Sequence, residues 1–263
     1  ALHLACKTLG IQKGDQVLVS SSTNMASAFS VDYCDAIPIP VDIEKETWQM
    51  DVNKIEEKIN KKTKAIMVVH LFGHPVDMDP VLEIAKKYNL KIIEDAAEVI
   101  GQEYKGKKCG SFGDISTFSF YPNKHITTGE GGMVLTDDEE LDKRAKRLRN
   151  LCFSIDPNKR FIHEDLGWNY RMTNMQAALG VAQLEQIDKM IEKKRHIGNT
   201  YNEFLKDINV INLPIAKTDY CENIYWVYAI TLKDNYKKTV KEVISELENY
   251  KIGVRPFFYP MHK

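Results

Sequence analysis

Short apolar runs alternate with amphipathic stretches of ten to thirteen residues along the first half of the chain. Leu2, Ala5, Cys6 and Leu9 recur at helical spacing until Gly10 stops them. QVLVS (16–20) reads as a strand, and 23–33 as a helix with Ala26, Phe29, Ser30 and Tyr33 along one face. AIPIPVDI (36–43) predicts a strand whose two prolines confine it to an edge or an irregular element. DVNKIEEKINKKT (51–63) opens on an Asp cap and predicts an exposed helix. KAIMVVHLFG (64–73) is nearly continuous in apolar residues, as a strand buried between helix layers is. A capped helix over 77–89 and a strand over LKIIEDAA (90–97) follow. This alternation predicts an α/β protein with a parallel or mixed sheet, whose ligands bind outside the carboxyl ends of the strands. His70, Asp95 and Ala97 fall at such ends, and the ends at His70, Asp95 and Ser119 are expected to converge in one cleft.

Beyond 137 the chain turns helical, over 137–150 and again over 173–207, the latter one helix or two joined near Asp188. WVYAITLK (226–233) predicts a strand, 239–250 a helix, and VRPFFYP (254–260) a return towards the first domain. The expected organisation is a large α/β domain over 1–187, then a connecting helix and an incomplete small C-terminal domain over 188–263. Residue 1 already lies inside a helical pattern and the chain closes on RPFFYPMHK, so a fragment is expected.

The charge balance, 36 basic against 37 acidic residues with a formal net charge of −1, provides no field to steer nucleic acid or an anionic membrane. Five cysteines, widely spaced and never in a CxxC pair, predict free thiols in a reducing compartment. No apolar run approaches membrane-spanning length and no signal-peptide pattern opens the chain, so a cytoplasmic protein is expected. His70 and His74 have no third ligand at metal spacing, and no metal is expected.

Candidate chemistry concentrates in GSFGDISTFSFYPNKHITTGEGGMVLTD (110–137), two strands around a loop that displays Lys124 among hydroxyls and glycines. IIEDAA (92–97) lies upstream. A lysine on a tight loop with a carboxylate at the mouth of an adjacent strand suits pyridoxal phosphate chemistry, in which the lysine binds the cofactor as a Schiff base and the carboxylate keeps the pyridine nitrogen protonated. The alternative is a surface lysine in a turn and an Asp that caps the next helix. Glu94 and Asp95 point to opposite sheet faces. Thr23, Asn24 and Ser27 open a helix and offer either an anion site or, through Ser22 or Thr23, an ordinary N-cap. Ser119 offers a phosphate donor or a backbone bond. GEGG (129–132) matches neither the dinucleotide fingerprint nor the P-loop. Asn169 and Arg171, in GWNYRMTN, fit binding better than core packing.

Taken together, ALHLA, VHLFGHPVDMD, IIEDAAEVIGQEYKGKKCGSFGDI, FSFYPNKHITTGEGGMVLTDDEEL, GWNYRMTNMQAALGVAQLEQID and GVRPFFYPMHK resemble the DegT/DnrJ/EryC1/StrS sugar aminotransferases in content and order. The resemblance implies a fold type I, aspartate aminotransferase-like transferase with a seven-stranded, mostly parallel sheet, and family segments that run beyond both ends of this chain. It implies pyridoxal phosphate on Lys124, with Asp95 as the pyridinium partner and Glu98, where many relatives carry Gln, beside the cofactor hydroxyl. It further implies Ser119 on the cofactor phosphate and Asn169 reaching the phosphate of the neighbouring subunit in a homodimer with shared active sites. Two departures stand out: Asn24 occupies the place of a stacking aromatic, and His125 follows the lysine where Thr, Asn or Ser is commoner. Within the family the motifs most resemble the perosamine synthases, which use glutamate to aminate the C4 ketone of a nucleotide-linked 4-keto-6-deoxyhexose, often GDP-linked. Tyr121, His163 and Arg171 are the candidate substrate contacts. The rival readings are a non-catalytic binding or regulatory relative and a pyridoxal phosphate-dependent sugar dehydratase, against which the retained Lys124 speaks.

Overall fold

A computed structural model describes residues 1–154 and 156–263. The chain runs α1 (Leu2–Thr8), β1 (Gln16–Ser20), α2 (Met25–Asp32), β2 (Ile37–Val41), β3 (Thr63–Val69), α3 (Met78–Tyr88), β4 (Lys91–Asp95), a small hairpin of β5 (Glu103–Tyr104) and β6 (Lys107–Lys108), β7 (Ile115–Ser119), β8 (Gly132–Leu135) and α4 (Glu139–Leu148). It continues through α5 (Asn174–Leu184), α6 (Ile187–Leu205), β9 (Ile211–Asn212), β10 (Thr231–Leu232) and α7 (Val240–Asn249). The main sheet has the order β2-β1-β3-β4-β7-β8; its strands are parallel except β8, which pairs antiparallel with β7. The proline-bearing strand sits at the edge, where its missing amides are not needed. Among the described residues the sheet has six strands rather than the expected seven, since the six β-rich runs of 1–187 account for six strands and leave no further run to supply another.

The strand period of two divides the core. Val17, Val19, Ala65, Met67, Ile93 and Ile115 pack with α1 and α2 on one face, while Leu18, Ile66, Val68 and Ile92 pack with Val81 and Ile84 of α3 on the other. Continuing each parity to the strand ends sends Asp95 to the α1/α2 side and Glu94 to the α3 side, as the alternation predicts.

Three local expectations fail for identifiable reasons. The segment 51–63 forms two 3-10 turns, Val52–Lys54 and Glu56–Lys58, instead of one helix. Ile55 is drawn into the core, while Asn60 and Thr63 bond neighbouring backbone amides and offer the chain a turn in place of a further helical one. The helix expected over 23–33 starts only at Met25, and its buried residues are Ser27, Ala28, Ser30 and Val31, with Phe29 and Tyr33 exposed. Ser27 is held inward by Asp95 and Ser30 by the Ser27 carbonyl. Of the strand expected over 226–233, only Thr231–Leu232 pairs, with Ile211–Asn212, because the left-handed Tyr225 (φ 48°) and the anchored Trp226 hold the preceding backbone elsewhere. The long helical stretch is two helices, breaking at 185–186, close to Asp188. Among the described residues no helix is long and apolar enough to cross a membrane, and all five cysteines are free and buried.

Candidate active site

The carboxyl ends of β3, β4 and β7 open, on the α1/α2 side, into a cleft of about 950 Å³. Val69, Asp95, Thr117 and Ser119 line it, one parity of three neighbouring strands. Asp95 is buried; its carboxylate accepts from the Ser27 hydroxyl (3.1 Å) and the Ala97 amide (3.2 Å). Thr23 bonds Ser27 in turn (2.9 Å), so the start of α2 orients the acid. Burial raises the Asp95 pKa, against the pull of those donors and of the Lys124 charge.

Lys124 enters from the loop between β7 and β8. That loop closes on itself: the Lys124 amide bonds the Tyr121 carbonyl (3.0 Å), the Thr128 amide bonds that of Phe120 (3.0 Å), and Phe120 bonds Gly131 (2.9 Å). Lys124 Nζ lies 3.7 Å from Glu98 Oε1 with the side chain only 10% exposed. Burial lowers the lysine pKa, opposed by Glu98 and Asp95, and pushes that of Glu98 up to about 8, opposed by Lys124 and the Phe72 amide. Glu98 Oε2 accepts from that amide at 2.8 Å. Both members of the pair are thus displaced towards neutrality, which suits an amine that must act as nucleophile and base.

His70 does not face the cleft. It shares the parity of Ile66 and Val68, so its ring turns to the opposite side of the sheet, where Nε2 meets Glu94 Oε1 at 2.9 Å and Nδ1 accepts from the Val76 amide at 3.1 Å. Burial alone would raise Glu94, but His70 and the amides of Gly110 and Phe112 outweigh it and hold the carboxyl at about 2. Cys109 comes within 4.8 Å of this pair, yet both imidazole nitrogens are engaged, so the trio ties loops to the sheet rather than offering a free ligand set.

The other candidates separate. Asn24 lines the cleft but is exposed, and its Oδ1 caps α2 through the Ala26 amide (3.0 Å), so the cap comes from Asn24 rather than Ser22 or Thr23. Tyr121 and Arg171 line the cleft; Arg171 also donates to Asn150 Oδ1 at 2.6 Å. Asn169 is exposed and lies outside the cleft lining, with its backbone bridged to Asn150. His163 is likewise outside, its Nδ1 donating to the Leu151 carbonyl at 2.6 Å and its ring beside Phe153. His125, next to the lysine, is buried with both ring nitrogens unpartnered, and burial first, then Lys194 and Lys124, lower it to about 4.

Two features escaped sequence reasoning. Trp226 reaches the cleft from the far end of the chain, its ring face 3.8 Å from Lys124 Nζ. Nothing in WVYAITLK distinguishes a site tryptophan from a strand residue. Thr117 points a buried hydroxyl without a hydrogen-bond partner into the cleft.

The residues present fit pyridoxal phosphate. A buried carboxylate with only neutral donors bonded to it calls for a cation on its open side, and the unpartnered Thr117 hydroxyl calls for a polar group there. Lys124 stands in the same cleft, with the Ser119 hydroxyl at its β7 edge.

The model of the DegT/DnrJ/EryC1/StrS aminotransferase family matches residues 1–263. The chain is 47% identical over 262 residues to GDP-perosamine synthase of Escherichia coli O157:H7 and 46% identical over 264 residues to that of Caulobacter vibrioides, in each case spanning all of this chain and 70% of the relative. The pyridoxal phosphate form of the putative sugar aminotransferase Spr1654 from Streptococcus pneumoniae superposes with a TM-score of 0.91 at 27% identity, covering 99% of this chain and 71% of that one.

Proposed function

The chain belongs to the DegT/DnrJ/EryC1/StrS aminotransferase family, and from that membership we propose that it transfers the amino group of glutamate to the C4 ketone of a nucleotide-linked 4-keto-6-deoxyhexose, GDP-4-keto-6-deoxymannose in particular, for deoxyaminosugar synthesis. It is an enzyme, and its cofactor is pyridoxal phosphate. When bound, the cofactor supplies a ring that takes up the electron pair left as a proton leaves the carbon beside the transferred nitrogen. Asp95, oriented by Ser27 and the Ala97 amide, keeps a proton on the ring nitrogen. Lys124 Nζ moves the proton from carbon to carbon, its amine biased towards the neutral form by burial. Glu98, anchored by the Phe72 amide, steadies that amine. Ser119 serves the phosphate, Tyr121 and Arg171 the substrate, and Arg171 suits a diphosphate because its guanidinium forks. Asn24 borders the cofactor as a polar edge; with its side chain committed to the cap of α2, it supplies no stacking face.

The observation that carries this reading is a burial-tuned lysine sharing one cleft with a fully buried carboxylate on the adjacent strand. The non-catalytic alternative is not favoured, because a binding protein has no need of a buried lysine whose pKa is lowered beside a carboxyl whose pKa is raised. We also propose a cytoplasmic homodimer in which Asn169 reaches the partner's cofactor phosphate, and a division into a large domain over 1–187 and a smaller one over 188–263. Supporting the dimer, α5 has no buried residue although Met175, Leu179, Val181 and Leu184 are apolar and exposed. A substrate panel tests the assignment: with glutamate, GDP-4-keto-6-deoxymannose should give a far higher kcat/KM than dTDP- or UDP-linked 4-ketosugars, and the reverse ranking would discard the GDP assignment while leaving the aminotransferase.

A further inference from the structure

We propose that Trp226 positions the reacting lysine: the face of its ring seats the Lys124 amine whenever that amine is free, and its indole N–H fixes the loop that carries it. The proposal rests on Lys124 being the reacting lysine. Nζ lies 3.8 Å from the ring centroid, while the Glu98 carboxylate at 3.7 Å is beyond ordinary hydrogen-bond reach. The amine therefore sits between a ring face and the Glu98 carboxyl, and the ring attracts its charged form. The indole Nε1–H donates to the Asn123 carbonyl at 2.8 Å, one residue before the lysine, so one side chain holds both the amine and the backbone that presents it.

Trp226 is itself held from several directions. Lys194 Nζ of α6 donates to its carbonyl at 2.9 Å, and Phe72 stacks on its ring at 6.4 Å and 18°. The Phe72 amide anchors Glu98, so the circuit Phe72–Glu98–Lys124–Trp226 closes on itself. The backbone entering Trp226 is pinned to the turn after β3: Ile224 donates to the Gly73 carbonyl (3.2 Å) and Tyr225 to Asn223 Oδ1 (2.7 Å). Phe72 and Tyr225 both adopt left-handed backbone, at φ 57° and 48°, a conformation bulky residues keep only where the surroundings over-determine it. A tryptophan serving only as packing has no use for a lysine against its face.

The titratable groups around the amine are Glu98 and Asp95 from the end of β4, His125 on its own loop, and Lys194 behind it on α6. Of these, the carboxylates and the ring favour the charged amine, and burial opposes them. The ring thus offsets part of the effect of burial and holds Nζ within the cleft between transfers, so that the amine does not drift towards solvent.

Peptide-resolved competitive labelling of amines across pH reads the Lys124 pKa in the full chain freed of pyridoxal phosphate. Trp226→Leu should lower it by about one unit, the effect of losing a desolvated cation–ring contact. Trp226→Phe keeps a ring and loses the N–H, so it should lower the pKa by less than half as much. Replacing the tryptophans with increasingly fluorinated analogues drains the ring face without reshaping the side chain, and should lower the pKa stepwise even if the Leu variant fails to fold. A Lys124 pKa unchanged across the variants, equally lowered in Leu and Phe, or indifferent to fluorination overturns the proposal. Reloading with pyridoxal phosphate should protect Lys124 from the label; absence of protection would refute the cofactor role of Lys124 without altering the outcome of the tryptophan series.

Discussion

Glu98→Gln isolates the cost of placing an ionisable carboxyl beside the lysine. Burial raises Glu98 from its ordinary 4.5 to about 8. Because the folded value lies above the unfolded one, its favourable contribution is complete below about pH 4.5 and is lost as pH rises through about 8. At pH 7 the unfolded chain is ionised at this position and the folded chain largely is not, which removes on the order of 3 kcal/mol relative to acid conditions. Gln keeps an oxygen for the Phe72 amide (2.8 Å in the native chain) and has no proton to release. Melting temperatures of the cofactor-free chain, native and Glu98→Gln, should therefore nearly coincide near pH 4.5 and diverge as pH rises, the variant melting higher by on the order of 5–10 °C at pH 8. The other titrating groups are common to both chains, so the difference reports Glu98 together with its coupling to Lys124. A gap that stays constant from pH 4.5 to 8 would show that the carboxyl is not held protonated by burial, and the account of the Glu98–Lys124 pair would fall.

Asp95→Asn keeps the shape and the Ser27 bond but loses the charge that answers a protonated ring nitrogen; kcat should fall by about 100-fold or more with a small change in substrate KM, and an unaltered kcat would refute the role. His70→Ala leaves Glu94 charged and buried beside the amides of Gly110 and Phe112, so urea titration should show a loss of about 3–5 kcal/mol, and a loss below about 1 kcal/mol would contradict the buried pair. Gly73→Ala places a Cβ 2.6 Å from the Trp226 amide and 2.7 Å from that of Tyr225, at φ +94°; the variant should lose at least about 1 kcal/mol of stability, and circular dichroism melts indistinguishable from the native chain would refute the close packing of these segments.

Several features were legible in the string because their causes are local. The strand period of two separates Glu94 from Asp95 whatever surrounds them, and it sends Asp95, Thr117 and Ser119 to one face together. Turn chemistry and glycines announced the loop of Lys124, whereas helical periodicity left 173–207 open between one helix and two joined near Asp188, and the fold made it two. The same alternation, carried one strand further, would have turned His70 away from the cleft, where the ring answers Glu94. Other features arose only when distant segments met. The 51–63 run has helical composition, but burial of Ile55 and the turn bonds at Asn60 and Thr63 decide its path. The stretch from Trp226 has strand composition, but its indole finds a carbonyl at Asn123 and its ring an ammonium at Lys124. Periodicity determined the strands of the main sheet and the alternation of faces along each of them, because those depend on backbone geometry and neighbours in sequence. Tertiary structure alone decided the protonation of Glu98 and Lys124 and the contact with Trp226, because desolvation and contact across the fold exist only once segments far apart in the chain exclude water from the same cleft.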